Sequence, residues 1–286
     1  MATIAFVVHQ HRPEAAELAR ECARWLEADG HEVRLTNEDA ATAGLDDHGH
    51  APPDLVDGLD LAVSLGGDGS MLRTVDLVAD ADVPVIGVNL GQLGYLTEVE
   101  PSGLRGALTR FLAGDYGIEE RMLLQVSIGS ASGGITTRSA LALNEAVVEK
   151  TASGHTVRVD VEIDGRFFTP YAADGLIVAT PTGSTAYALS ARGPIVAPTH
   201  RALLLTPVSP HMLFDRTLVL EPDSVLRLTV SGHRSASLAV DGRTLGVLEV
   251  GDHIECTASA HVARLVIFGP RDFHGILKAK FQLADR

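Results

Sequence analysis

Cysteine is scarce: Cys22 and Cys256 are the two in a chain of 286 residues. Two thiols so far apart in sequence make neither a zinc site nor a disulfide framework, and they point to a reducing compartment. Long apolar runs are also missing, and no segment approaches the ~18 apolar residues of a membrane helix. Basic residues are outnumbered, with 23 Lys plus Arg against 37 Asp plus Glu, a net charge of −14. Such a surface repels nucleic acid and anionic membrane, so an anionic ligand needs local basic groups or a divalent metal. The 12 histidines are scattered without paired ligand spacing, which argues against a dedicated zinc site. The start, Met1 to Glu17, has no basic stretch ahead of its apolar run and continues into a helical pattern. It is therefore not expected to be a signal peptide, and the expected location is cytoplasmic. No Gly-x-Gly-x-x-Gly follows the first apolar run, which disfavours a Rossmann dehydrogenase.

What is present centres on Leu61-Ala-Val-Ser-Leu-Gly-Gly-Asp-Gly-Ser-Met-Leu72. Asp60 to Leu65 reads as a buried parallel strand, and Ser70 to Val78 as a helix. Between them Gly66, Gly67 and Gly69 permit a sharp turn and the close approach of a phosphate to peptide N–H groups. Asp68 is the anomaly. An acid in a phosphate cradle is repulsive unless a metal or a proton transfer uses it, and this conflict is the first sign of catalysis. The competing reading is a tight turn with an Asx bond, since glycine-rich turns follow strands in many α/β proteins.

The chain before and after supports alternating strand and helix units. Thr3 to Val8 is a strand, Pro13 to Ala28 a helix with proline at its start and Gly30 past its end, and Glu32 to Leu35 a short strand. Thr36 to Asp57 reads as a mobile surface loop, including its Asp46-Asp47-His48-Gly49-His50 group. Pro84 to Val88 is a further strand, Asn89 to Thr97 a second glycine-punctuated loop, and Gly103 to Ala113 a helix. These units imply a parallel sheet with ligands beyond the carboxyl ends of its strands. After Gly114 strands dominate: Ile118–Gly129, Arg138–Glu149, Val157–Ile163, Phe167–Tyr171, Leu176–Thr180, Thr217–Leu220, Val225–Val230, Ser237–Val240, Asp252–Cys256 and Val262–Ile267. Asp164-Gly165 and Asp241-Gly242 are hairpin signals among them. One helix is expected near Ser184, and another at Phe273 to Ala279. The fold expected is an α/β N-terminal domain with a parallel sheet over residues 1–116. A β-rich C-terminal domain of two packed sheets follows over 117–271, with a terminal segment, 272–286, returning to the first domain.

A second constellation runs from Ala173 to Val196. Asp174 opens a strand that ends at Pro181, and Thr182-Gly183-Ser184-Thr185 follow with more hydroxyls than one helix cap needs. Asn144 and Glu145 interrupt another apolar strand. An amide beside a carboxylate suits a sugar diol or an amide-bearing ring.

Taken in this order, Gly66-Gly67-Asp68-Gly69, Asn144-Glu145, Asp174-Gly175 and Thr180-Pro-Thr-Gly-Ser-Thr-Ala-Tyr187 resemble the NAD kinase family. Asn89 to Thr97 and Arg121-Met122-Leu123 match it too, and the resemblance covers nearly the whole chain. It implies the two-domain NAD kinase/diacylglycerol kinase-like fold. It also implies transfer of the ATP γ-phosphate, or of polyphosphate in some members, to the adenosine 2′-hydroxyl of NAD. By the same resemblance Asp68 is the general base, and Gly66, Gly67, Gly69 and Arg73 meet phosphate. Leu72 and Tyr95 contact adenine. Asn144 and Glu145 hold the nicotinamide-side ribose, and Asp174 the nicotinamide amide. Thr182, Thr185, Ala186, Tyr187 and Ser190 line the dinucleotide pocket. His155 stands where relatives place a basic residue near the substrate, often from a neighbouring subunit, and a homodimer or homotetramer is expected. No all-protein magnesium site is recognisable, so Mg²⁺ is expected to arrive on ATP. Arg192 replaces the usual first glycine of Ser-Ala-Gly-Gly-Pro, so its position is not expected to need a glycine-only conformation. Arg243 stands where glutamine is frequent. The rivals are a sugar or lipid kinase of the same superfamily, and a non-catalytic nucleotide sensor, against which Asp68 counts.

Overall fold

The computed structural model describes residues 1–91, 94–131 and 138–283. Gln92 and Leu93 of the second glycine loop lie outside the described residues. The chain divides into one unit of residues 1–120 with 263–286 and another of residues 121–262.

The first unit opens with β1 (Thr3–Val8), wholly buried, and α1 (Pro13–Ala28), whose buried face is Ala15, Ala16, Ala19, Cys22, Ala23 and Leu26. Four of those six are alanines, which lets the helix lie close on the sheet. β2 (Glu32–Thr36) follows. The stretch after it is not the loop expected from its polarity. It folds as α2 (Asn37–Ala43), a 3₁₀ turn, the two-residue β3 (Gly49–His50) and α3 (Pro52–Val56). The reason is local: the Thr36 hydroxyl accepts the Asp39 N–H at 3.1 Å and donates to the Asp39 carboxylate at 2.9 Å, and Gly44 at φ 64° closes the helix. Thr36 is thus a side-chain N-cap whose hydroxyl also engages the Asp39 carboxylate, and Gly44 is the left-handed stop. β4 (Leu61–Gly66), α4 (Asp68–Val78), β5 (Val85–Asn89) and α5 (Leu104–Leu112) complete the alternation. The sheet is parallel throughout, in the order β3-β2-β1-β4-β5. Strand order reverses at β1, whose two neighbours lead the chain in opposite directions, so a crevice opens beyond the ends of β1 and β4.

The second unit is two antiparallel sheets. The chain enters along β6 (Gly117–Gly129), which pairs with β7 (Arg138–Ala142). The strand expected over Arg138–Glu149 is broken: β8 (Glu145–Lys150) starts anew after a bend at Leu143 and Asn144. β9 (Val157–Ile163) and β10 (Arg166–Ala173) form a hairpin through Asp164 and Gly165, both at positive φ. β11 (Gly175–Ala179) leads into a 3₁₀ turn, Thr182–Thr185, and the four-residue α6 (Tyr187–Ser190), where a helix is expected near Ser184. β12 (Leu203–Val208), unexpected from the sequence, precedes β13 (Leu218–Leu220), β14 (Leu226–Ser231) and β15 (Ala236–Val240). The Asp241-Gly242 turn joins β15 to a further unexpected strand, β16 (Arg243–Leu248). The two last strands expected are one, β17 (His253–Ile267). One sheet runs β13-β12-β11-β8-β15-β16. The other contains β10-β9-β14-β17, with β6 and β7. Val148, Leu176, Leu203 and Leu238 of the first sheet meet Val159, Val161, Leu228 and Ile254 of the second in one core. The end of β17 rejoins the first unit beside β5, through Leu265 and Val85. α7 (Phe273–Phe281), capped by Asp272, follows.

Candidate functional site

In the first unit the Gly66-Gly67-Asp68-Gly69 turn lies at the end of β4, and α4 begins at Asp68 with Gly67 as its N-cap. None of the three glycines has a positive φ, so the sharp glycine-only turn expected is not what requires them. A methyl at Gly66 would overlap the Ser70 hydroxyl, so this glycine is a matter of packing. Gly67 and Gly69 instead face open space, a floor that an anion could approach at a helix N-terminus. The cleft there measures about 450 Å³ and is lined by His9, Gln10, His11 and Arg12 after β1, by Gly67, Gly69, Ser70 and Arg73, and by Asn89 at the end of β5 and Gly91 beyond it. His9, His11 and Arg12 were not singled out from the sequence. Their signal was position, directly beyond the first strand. His9 is held below the usual histidine range by burial and then by the charge of Arg12, which favours its neutral form at neutral pH.

Asp68 is aimed by its neighbours. Its Oδ2 accepts the Tyr95 N–H and its Oδ1 the Leu96 N–H, both at 3.0 Å. A methyl at Gly94 would overlap Oδ1 and stand 2.7 Å from the Thr97 hydroxyl. The second glycine loop thus pins the acid, and lone pairs remain on each oxygen for a substrate hydroxyl. Burial, then the Asp68 charge, push the Tyr95 phenol up. Arg73 lines the cleft, but its Nη2 donates to the Val8 carbonyl at 2.7 Å and to Asp39 Oδ1 at 2.6 Å. Leu72, half-buried, is the next residue before it on α4.

In the second unit the Asn144–Glu145 bend is gripped from several sides. Asp241 accepts the N–H groups of Leu143, Asn144 and Glu145 at 2.7, 2.9 and 3.0 Å. Thr180 donates its N–H to the Asn144 carbonyl at 2.9 Å and its hydroxyl to the Leu143 carbonyl. A methyl at Gly183 would overlap the Asn144 carbonyl, so a side chain there is excluded. Glu145 is buried, and its Oε2 has no hydrogen-bond partner among the described residues. Burial first, and the Asp241 charge second, raise its pKa to about 7, against a backbone hydrogen bond from Tyr187. A buried carboxylate oxygen without a partner suits a ligand hydroxyl.

Asp174 Oδ1 receives Lys150 Nζ at 2.6 Å, a pairing absent from the sequence reading. The Tyr187 phenol is pushed up by burial and then by Glu149, Asp174 and Glu145, which places these acids around it. His155 is exposed and lines a separate pocket of about 280 Å³ with Lys150, His233 and Arg234. The hydroxyl cluster is used internally more than expected. Ser184 exchanges hydrogen bonds with the Val196 backbone, and Thr185 donates to the Thr182 carbonyl at 3.3 Å. Neither short helix there has a side-chain cap. Thr182 is buried and accepts from Arg121 Nη1 at 3.3 Å, Ala186 is half-buried, and Ser190 is exposed at the end of α6. Arg192 adopts φ 67°, the left-handed region that favours glycine, so the position does take a glycine-type conformation, contrary to the expectation. No group of three or more His, Cys, Asp or Glu among the described residues could hold a metal ion.

An acid pinned at a helix N-terminus over a glycine floor, on a parallel α/β unit followed by a β-sandwich, belongs to a phosphotransferase of the two-domain nucleotide kinases. Residues 4–116 match the ATP-NAD kinase N-terminal domain and residues 143–268 the ATP-NAD kinase C-terminal domain. An NAD kinase of Heliobacterium modesticaldum is 45% identical over 287 residues, covering 99% of each chain. One from Moorella thermoacetica is 38% identical, covering 99% of this chain and 90% of the other. Yeast NADH kinase complexed with NADH superposes with a TM-score of 0.92 at 25% identity, over 100% of this chain and 89% of that one. The Archaeoglobus fulgidus NAD kinase in complex with ATP shares the fold, with a TM-score of 0.71, 24% identity and 99% coverage of both chains. The chain belongs to the NAD kinase family, and its activity is that of an NAD kinase.

Proposed function

We propose that the chain transfers the γ-phosphate of MgATP to the adenosine 2′-hydroxyl of NAD, with Asp68 as the general base. The observation that carries this reading is the Asp68 carboxylate held by the Tyr95 and Leu96 N–H groups at the start of α4. A fixed carboxylate within reach of the hydroxyl takes its proton as the new P–O bond forms, a contribution of about 10²–10⁴-fold. Gly67, Gly69 and the α4 N-terminus meet the transferring phosphate, with Mg²⁺ carried in on ATP to offset its charge. Arg73 adds positive charge to the cleft while tied to Asp39. Leu72 and Tyr95 face adenine. In the second unit Asn144 and Glu145 receive the ribose diol of the nicotinamide side, Asp174 the carboxamide, and Thr182, Thr185, Ala186, Tyr187, Ser190 and His155 the rest of the dinucleotide. The acidic surface and the lack of a membrane-length apolar helix among the described residues fit a small-molecule substrate in the cytoplasm. A homodimer or homotetramer belongs to the same reading.

The test is NADP⁺ formation from NAD⁺ and MgATP, followed with an NADP-specific dehydrogenase, for wild type and Asp68→Asn. A loss of at least a hundredfold in a variant that still binds NAD⁺ is expected. An Asp68→Asn enzyme of near wild-type rate removes Asp68 from the base role. Wild type that forms no NADP⁺ with ATP or polyphosphate redirects the search to sugar and lipid acceptors.

A further inference from the structure

We infer that Arg271, in the segment that leads from β17 into α7, is a positioning residue for phosphoryl transfer. It grips the backbone of Tyr95 on the side opposite the one that holds Asp68. The inference rests on the reading of Asp68 as the base.

The geometry is a relay through one residue. Tyr95 donates its N–H to Asp68 Oδ2 at 3.0 Å, and its carbonyl accepts from Arg271 Nη2 at 3.1 Å. The two peptide groups of Tyr95 are thus held from both ends, one by the acid and one by a residue 176 positions away in sequence. Arg271 is itself fixed. Its side chain is 7% exposed, and Nη1 lies 3.7 Å from Glu119 Oε1, whose side chain is 16% exposed. A guanidinium so deeply buried needs a counter-charge, and its planar fork serves the carboxylate and the carbonyl together, which a lysine cannot do.

Further contacts of the C-terminal segment fall on the same loop. Lys280 Nζ of α7 stands 4.4 Å from the Tyr95 ring centroid, within cation–π range. The Phe268 N–H points at Glu98 Oε1 at 3.4 Å. The loop from Gly94 to Glu98 has no helix or strand of its own, so these contacts, with Asp68, the Glu98 N–H to the Gly87 carbonyl and the burial of Leu96 and Thr97, hold it in place. Movement of the Tyr95 backbone moves the donors that aim Asp68, and an ångström there is worth roughly a hundredfold in rate.

The experiment compares wild type, Arg271→Ala, Arg271→Lys and Asp68→Asn in steady-state kinetics and in hydrogen–deuterium exchange of the peptide spanning residues 94–97. Arg271→Ala is expected to lose roughly tenfold to a hundredfold in kcat. Its Tyr95 and Leu96 amides should exchange faster while core strands keep their protection. Arg271→Lys is expected to recover part of both, since an ammonium still donates to a carbonyl; it also supplies both readouts should the alanine variant not fold. Unchanged exchange over residues 94–97 overturns the inference, as does a rate loss matching only a smaller folded fraction. An Asp68→Asn enzyme of wild-type rate overturns the base assignment itself, and is told apart because it leaves the exchange result for Arg271 standing.

Discussion

Arg73 Nη2 stands 2.6 Å from Asp39 Oδ1, and Asp39 has no exposed surface. Gln10 Nε2 adds a hydrogen bond to the same oxygen at 2.8 Å, and Thr36 holds the other. The pair ties α4, which starts at Asp68, to α2. Arg73→Met leaves the buried carboxylate without its cation, whereas Asp39→Asn leaves a guanidinium that is already 37% exposed and can rehydrate. Arg73→Met is therefore expected to cost more stability, about 1–2 kcal/mol after allowance for that exposure. Urea unfolding of both variants gives the ranking, and the reverse order would show that Gln10 and Thr36 suffice for Asp39.

A side chain at Gly94 is predicted to disturb Asp68, because a methyl would overlap the carboxylate that the loop N–H groups hold. Gly94→Ala is expected to lower kcat by roughly a hundredfold. The fold should survive, since the clash is resolved by a side-chain rotation rather than by opening the core. A normal melting temperature with a normal kcat would mean that Asp68 has room to move without consequence.

Glu145 makes the second unit sensitive to pH. Its pKa lies at about 7 in the folded protein against an ordinary 4.5. Between those values the folded state keeps a proton that the unfolded state has lost, so stability falls as pH rises through the window, by on the order of 3 kcal/mol. Glu145→Gln removes the titration and should flatten the melting temperature between pH 5 and 7 relative to wild type. Ribose hydroxyls that donate to the carboxylate favour its charged form, so NAD binding should release a proton near neutral pH. Calorimetry in two buffers of different ionisation enthalpy measures that release, and its absence would detach Glu145 from the ligand.

Arg192 holds φ 67° with a full side chain. A left-handed residue other than glycine costs about 1–2 kcal/mol, part of which glycine returns through the freedom of the unfolded chain. Arg192→Gly should therefore raise stability by about 0.5–1 kcal/mol in thermal unfolding. Unchanged kinetics would assign the arginine to solvent, whereas a higher KM for ATP or NAD would give its charge a place on phosphate.

Much of the architecture was legible because it is written in short-range chemistry. The boundaries of β1 and α1 follow from an apolar run, a proline and a glycine, and both match residue for residue. The Asp164-Gly165 and Asp241-Gly242 hairpins follow from residues that accept positive φ. Where the reading failed, polarity misled. Thr36 to Asp57 reads as a surface loop because it is polar and holds Pro52-Pro53, yet Asp39 is buried beneath Arg73. Its Thr36-x-x-Asp39 cap is a local signal for the helix that follows. β12 was missed because Leu203 to Val208 is a nearly continuous apolar run with a proline inside, and such a run has no period to read.

The sequence by itself determined the two-part organisation and the family, and it singled out Asp68 for its place in the glycine turn. Each depends on residue types in a fixed order, which survive without coordinates. Only the tertiary structure decided what surrounds that acid. The donors to Asp68 lie 27 and 28 residues away, Asp241 reaches its bend across nearly a hundred, and Arg271 reaches Tyr95 across 176. A hydrogen bond depends on the meeting of two groups in space within a few tenths of an ångström. No pattern of neighbours along the chain specifies such a meeting; the sheet registers and the returning C-terminal segment do.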